Sequence, residues 1–222
     1  RSMKLHGGAF GSRGGYRPTK DELEKENVDA VIHGAQGNLD RHIKNMAGFG
    51  MPGIVSINRF DSDTDAELDA LRTAAQKSGA TEVTLTEVHA NGGKGGEDLA
   101  KAVVTAVQDN VANGRPFTPL YTPEMPIIEK MNAIATRIYK ADGIEISTSA
   151  MKQLSKFQAW GYDHLPVCMA KTQYSFSHDP GKLGAPVGFT VPVREFRLNA
   201  GAGFIVAILG NMMTMPGLPK RP

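Results

Sequence analysis

Apolar and polar positions follow two different periods in the first half of the chain. A short run rich in β-branched residues, 54–57, predicts a buried parallel strand, and residues 62–78 follow it with helical spacing. The same order repeats with a strand predicted at 82–88 and a helix at 97–111. This β-α-β-α alternation predicts an α/β fold with a parallel sheet.

Helical spacing also marks the residues before the first strand. Thr19 can cap a helix that begins at residue 20, and Gly34 and Gly37 are expected to separate it from a second helix that ends by residue 48. Residues 7–18 are rich in glycine and arginine without an apolar period, which predicts a loop.

A Pro-rich segment at 116–123 divides the chain and predicts a linker between two domains, 1–115 and 124–222. The second domain is expected to be smaller and of α+β type. Its predicted helices cover 124–140 and 148–160, its predicted strands cover 166–170, 188–198 and 204–209, and an irregular tail is expected from 212.

Composition narrows the function classes only a little. The 222 residues are 41% hydrophobic and 22% charged, with a net charge of +2, too small an excess to indicate nucleic-acid binding. The single cysteine, Cys168, and the lack of a long apolar stretch or signal pattern favour a cytoplasmic protein without a membrane span. The abrupt start at Arg1 suggests a cut within a larger protein.

Polar residues follow the first predicted strand as Asn58-Arg59-Phe60-Asp61. In open parallel sheets, ligands bind beyond the carboxyl ends of the strands. The Asn58 amide and the Asp61 carboxylate could therefore face a nucleotide base, in an arrangement similar to the base-reading element of GTPases. The alternative is an Asx-type turn in which Asp61 or Ser62 caps the next helix.

A glycine segment follows the second predicted strand. The backbone N–H groups of Gly92, Gly93 and Gly95, with Lys94 among them and a helix N-terminus behind, suit an anion, although a plain tight turn would have the same sequence. A Walker A loop needs a glycine, four residues, then Gly-Lys-Ser/Thr, and the Gly-Lys pairs at 93–94 and 181–182 do not meet that pattern.

Several blocks in order resemble one family, the formate–tetrahydrofolate ligases. They are KLHGG at 4–8, NRF at 58–60, TDAE at 64–67, GGKGG at 92–96, PVCMAKTQYS at 166–175, GAGF at 201–204 and TMPGLPKRP at 214–222. The resemblance covers essentially the whole chain. It implies a segment that lies C-terminal to the family's phosphate-binding loop, so that residues 1–115 would be the C-terminal part of a P-loop NTPase-like α/β domain that binds nucleotide and folate.

The resemblance also implies a reaction. Formate, ATP and tetrahydrofolate give 10-formyltetrahydrofolate, ADP and phosphate, with Mg²⁺ and a monovalent cation such as K⁺ as cofactors and a homotetramer as the usual assembly. Phosphoryl transfer comes first and acyl transfer second. The missing N-terminal portion of the same enzyme would be the main partner, and the isolated chain is expected to be inactive.

The family's aromatic clamp for a flat ring is implied at Phe60, Leu85 and His89. A pterin between two rings is a favourable stack. His89 stands where the family has a Trp, and its imidazole offers less ring area.

Two alternatives stay open beside the ligase reading. The chain could be a non-catalytic fragment that binds folate or assembles with partner subunits, or half of a GTPase-like domain that uses Asn58 and Asp61. Titration with folate would distinguish a folate-binding fragment from one that only assembles with partner subunits. Binding of a guanine nucleotide would favour the GTPase-like domain.

Overall fold

The computed structural model describes residues 1–9 and 18–210, and these form two compact units. The first unit comprises Arg1–Pro119 with Leu183–Ala185, and the second comprises Leu120–Lys182 and the described residues from Pro186 onward. Most of the loop predicted at 7–18, and all of the tail predicted from 212 with the TMPGLPKRP block, lie outside the described residues.

A two-stranded parallel sheet with helices around it forms the first unit. Strand β1 (Ile54–Asn58) pairs in parallel with β2 (Glu82–Thr86), with Ile54 opposite Glu82. The helices are α1 (Ser2–His6), α2 (Lys20–Glu24), α3 (Val28–Gly34), α4 (Asp40–Gly48), α5 (Asp65–Lys77), α6 (Val88–Asn91) and α7 (Glu97–Ala112). The predicted α/β class is confirmed, as are both strands and the helices that follow them.

The helix break expected at Gly34 and Gly37 is wrong. The chain passes from α3 to α4 through one π-helical turn, Ala35–Leu39, and the interruption lies earlier, where Asn27 caps α3. Gly34 instead permits a close approach of α1, because a Cβ there would lie 2.1 Å from the carbonyl oxygen of Met3. The predicted cap at Thr19 is confirmed and forms a full capping box with Glu22.

The core of the first unit lies between α5 and one face of the sheet. Ile57 and Val83 point to this face from neighbouring strands, and Leu68 and Ala75 of α5 cover them. Because successive side chains of a strand alternate between faces, Ser56 and Thr84 belong to the opposite face. Each strand therefore presents apolar side chains to α5, while Ser56 and Thr84 face the other side.

Two small sheets make up the second unit. In one, β3 (Gly143–Ile146) pairs in parallel with β5 (Thr190–Val193). In the other, β7 (Phe204–Ile208) lies between β4 (Val167–Ala170), which is parallel to it, and β6 (Glu195–Asn199), which is antiparallel. The helices are α8 (Ile127–Ala133), extended by a π-helical turn over Ile134–Ile138, and α9 (Thr148–Ala159).

Most predicted elements of this unit are present. The strand expected at 188–198 is two strands separated at Arg194, and β3 was not predicted. A fully buried cluster that includes Ile127, Met131 and Ile205 forms the core. Among the described residues, no helix is long and apolar enough to cross a membrane.

Lys130 of α8 is a buried cation in this core. Its ammonium donates to the backbone carbonyls of Pro123, His164 and Leu165 at 2.7, 2.9 and 3.1 Å, and burial lowers its pKa. Three carbonyl acceptors match the three N–H donors of an ammonium. Lys130 therefore fastens α8 to the segment that leads into β4.

Candidate functional site

The candidate site lies where β1 and β2 end at the same edge of the sheet. Asn58 and Thr86 are the last paired residues, so Phe60 and His89 follow the two strands by two and three residues. Phe60 and His89 are exposed, as are Asn58 and Asp61, whereas Leu85 is half-buried. The structure thus brings the two segments that carry the predicted site residues to one edge.

Backbone and side-chain contacts tie these two segments together. The Arg59 amide donates to the Thr86 carbonyl at 3.1 Å, and the Arg59 guanidinium lies 3.3 Å from the Glu87 carboxylate. The Glu87 amide in turn donates to the carbonyl of Gly95 at 3.0 Å. Glu87 therefore connects the segment after β1 with the glycine segment.

Phe60 borders a cavity of about 320 Å³ beside β1. The other walls of this cavity come from the start of α1, the length of β1 and the first turns of α5. The Arg1 guanidinium carbon lies 4.1 Å from the centre of the Phe60 ring, a cation–π contact. Arg1 therefore covers one face of the Phe60 ring.

Leu85 occupies a different position from Phe60. Its side chain packs against the α5 core, and it borders a second cavity, of about 580 Å³, that lies between β2 and α7. His89 lies in α6, the short helix after β2, and lines neither cavity. Phe60 and Leu85 thus border different cavities, and His89 borders neither of these two.

The turn after Phe60 is closed by residues other than Asp61. Asp63 accepts a hydrogen bond from the Phe60 amide at 2.9 Å, and Thr64 caps α5 by accepting from the Glu67 amide at 3.3 Å. Asp61 does not cap α5, and its side chain is exposed beside the exposed Asn58. The helix cap therefore needs neither Asn58 nor Asp61.

The glycine segment is helical rather than open. Gly92–Gly96 forms a turn of 3₁₀ helix between α6 and α7, and Lys94 on it is exposed. A Cβ at Gly95 would lie 2.4 Å from both the carbonyl carbon and the carbonyl oxygen of Glu87. Glu97 and Asp98 already place two carboxylates in the first turn of α7, and their charge opposes an anion at that end.

The block at 166–175, one of those that carry the family resemblance, holds a half-buried cation. Lys171 donates to the carbonyls of Thr172 and Ser175, and its ammonium lies 4.8 Å from the centre of the Tyr139 ring. Burial lowers the pKa of Lys171 to about 8 and raises the pKa of Tyr139 to about 12. The ammonium orders the loop after β4 through these contacts.

Sequence reasoning missed the coupling of Arg59 to Glu87 and the position of Arg1 over Phe60. Both depend on which residues the fold places side by side, and the strand register was the only signal that could have indicated the first pair. Within residues 1–9 and 18–210, no three His, Cys, Asp or Glu side chains gather as a metal site would require.

Comparison with known proteins assigns the family. The family model described as formate–tetrahydrofolate ligase matches residues 1–222. The chain is 49% identical to the formate–tetrahydrofolate ligase of Acidiphilium cryptum and 50% identical to that of Paracoccus denitrificans, over 100% of its own length and 38% and 37% of theirs. The ligase of Leuconostoc citreum is 49% identical over the whole chain. The chain thus spans little more than a third of these relatives' length, and it belongs to the formate–tetrahydrofolate ligase family.

Proposed function

We propose that this chain is part of an ATP-dependent ligase that joins formate to tetrahydrofolate, and that it supplies the pterin side of the site. The products would be 10-formyltetrahydrofolate, ADP and phosphate. The observation that carries the proposal is the exposed ring of Phe60 at the sheet edge, joined through Arg59 and Glu87 to the segment that carries His89.

Stacking on Phe60 is the physical basis of pterin binding here. Phe60 is 38% exposed, so a flat ring can reach it without disturbing the core. Aromatic pairs contribute about 0.5–1.5 kcal/mol beyond the area that they bury. The imidazole of His89 would offer a smaller second surface than the Trp that the family resemblance implies there.

The phosphate chemistry would belong to the complementary portion of the ligase, that is, the part of the relatives' length that this chain does not span. The chain has no Walker A loop, and the first turn of α7 is acidic. For the whole ligase we therefore propose ATP as substrate, Mg²⁺ and K⁺ as cofactors, a cytoplasmic location and a homotetrameric assembly. We also propose that the nucleotide in the whole ligase contacts Asn58, Asp61 and Lys94.

Calorimetric titration of the chain with tetrahydrofolate tests the pterin assignment. Phe60→Ala should weaken binding about tenfold, the equivalent of about 1.4 kcal/mol. Tyr174→Ala removes an exposed aromatic ring of the second unit and serves as the control. Equal affinities of wild type, Phe60→Ala and Tyr174→Ala would refute the assignment.

A second assay addresses activity. The isolated chain should produce no 10-formyltetrahydrofolate from formate, ATP and tetrahydrofolate, whereas the chain joined to the complementary portion should do so. Product formation by the chain alone would contradict the division of roles. Folate binding without activity in the joined protein would favour the alternative, a non-catalytic folate-binding fragment.

A further inference from the structure

The cavity between β2 and α7 has the form of a slot for another strand. Its floor is the outer edge of β2, residues 81–85, and α7 and Arg72 of α5 stand on its two sides. Its volume is about 580 Å³. Within the described residues β1 and β2 form a two-stranded parallel sheet, so β2 has a partner strand on one side only.

Parallel sheets of this size are unusual. Parallel strands normally lie in larger sheets that are covered on both faces, because their backbone groups and apolar side chains need partners on every side. Here helices already flank the edge of β2, while the position next to the strand is open. The open position beside β2 therefore has the place of a strand and not of a covering helix.

Two polar groups at the slot, one without a hydrogen-bond partner and one bonded only to a neighbouring side chain, could bond to an added strand. The Thr84 hydroxyl is buried, lines the slot and has no hydrogen-bond partner among the described residues. The Val83 amide donates to the carboxylate of the adjacent Glu82, at 3.0 Å. An edge amide satisfied by the side chain next to it is available to a backbone carbonyl, which is the partner that an added strand provides.

We propose that this slot receives an extended strand from the complementary portion of the ligase, which adds to β2 by backbone hydrogen bonds. This inference rests on the proposal that the chain is one part of a longer ligase. The amount of chain outside the structure supports this occupant, because residues 1–222 cover only 38% and 37% of the first two relatives. The strand would accept from the Val83 amide and release the Glu82 carboxylate.

Amide hydrogen exchange at β2 tests the proposal in the chain alone and in the chain joined to the complementary portion. Exchange at Val83 should be at least about tenfold slower in the joined protein, because an added strand protects edge amides. Equal exchange in the two samples would overturn the proposal. Slow exchange in the chain alone that depends on its concentration would also overturn it, because a second copy would then fill the slot.

A matched pair of variants identifies the slot itself. Thr105 is exposed and lines the slot, whereas Ala100 is exposed on α7 and does not line it. In the joined protein, Thr105→Trp should abolish the slow exchange at Val83, while Ala100→Trp and Thr105→Ala should retain it. Retention in Thr105→Trp would refute the slot as the docking position. Far-UV circular dichroism of each variant chain confirms that its helices remain.

Ligase activity is a separate readout in the same samples. Slow exchange at Val83 without activity would uphold strand docking and count against the proposed function. Activity without slow exchange would uphold the function and overturn the docking of a strand at β2.

Discussion

The Arg59 guanidinium lies 3.3 Å from the Glu87 carboxylate, so one ion pair joins the segments that follow β1 and β2. Both side chains are more than a third exposed, and exposed pairs contribute only about 0.2–1 kcal/mol to stability. The significance of this pair therefore lies in where it holds Phe60 and His89 and much less in the stability of the fold.

We expect Arg59→Met to weaken tetrahydrofolate binding more than it lowers stability. Without the ion pair, the Phe60 side chain would have to be ordered when the folate binds. Ordering one side chain costs about 0.5–1.5 kcal/mol, which corresponds to roughly a two- to tenfold increase in Kd. Urea denaturation should change by less than about 1 kcal/mol. Lys44→Met breaks the exposed Lys44–Asp40 pair of α4 and is the control, which should leave Kd unchanged. The same change in Kd for both variants would contradict a positioning role for Arg59.

Gly95→Ala should destabilise the chain by about 1–3 kcal/mol, the usual cost of forcing extra atoms into a packed site. The added methyl would meet the Glu87 backbone at 2.4 Å, and backbone atoms cannot move aside as a flexible side chain can. Gly93→Ala is the matched control in the same turn, where a Cβ has no atom within 4 Å. Urea denaturation measures both variants, and equal stability of the two would show that the close approach at Gly95 has no energetic effect.

Local pattern was sufficient for the strands and the helices between them. β1 and α5 were predicted because a β-branched run and a helical period are signals contained within a few residues. The prediction of a helix break at Gly34 was wrong because this glycine packs against the backbone of α1. The local sequence does not reveal that contact. β3 was not predicted, although β4, which is equally short, was.

The candidate site was predictable only to the level of the sheet edge. The parallel order of β1 and β2 places Phe60 and His89 at one edge, as expected from their positions after the strands. The side chains around Phe60, above all Arg1, come from a part of the chain 59 residues away by number and carry no local signal. Whether these residues bind a pterin stays a prediction.

The buried ion pair between Lys4 and Glu67 offers a test of how α1 is held. The two side chains are 1% and 4% exposed and lie 2.8 Å apart. Removing one partner of a buried pair leaves the other charge unpaired and costs about 3–5 kcal/mol. We therefore expect Lys4→Met to lower the free energy of unfolding by about that amount.

A double variant distinguishes charge from packing at this pair. Lys4→Met combined with Glu67→Leu removes both charges, so its cost should be smaller than the sum of the two single variants. The Glu67 carboxylate also accepts a hydrogen bond from the Asn27 backbone amide at 2.6 Å. The double variant loses this hydrogen bond as well, so it should remain less stable than the wild type. Strictly additive costs in urea denaturation would show that the two charges do not depend on each other.

His6 makes a contact in the first unit that depends on pH. Its Nδ1 accepts a hydrogen bond from the Gly184 amide at 3.1 Å, which requires the neutral ring. Burial, with a smaller contribution from the nearby His42, lowers the pKa of His6. Below the ordinary histidine pKa of about 6.5, the unfolded chain therefore takes up a proton that the folded chain resists.

We expect the stability that depends on neutral His6 to be fully present above about pH 6.5 and to decline as the pH falls toward the lowered pKa of the folded state. His6→Asn retains an acceptor near the position of Nδ1 but does not titrate. The difference in unfolding free energy between wild type and His6→Asn should therefore shift in favour of the variant between pH 7.5 and pH 5.5, where urea denaturation can be compared. Parallel pH dependence of the two proteins would show that His6 does not couple protonation to the docking of Leu183–Ala185 in this unit.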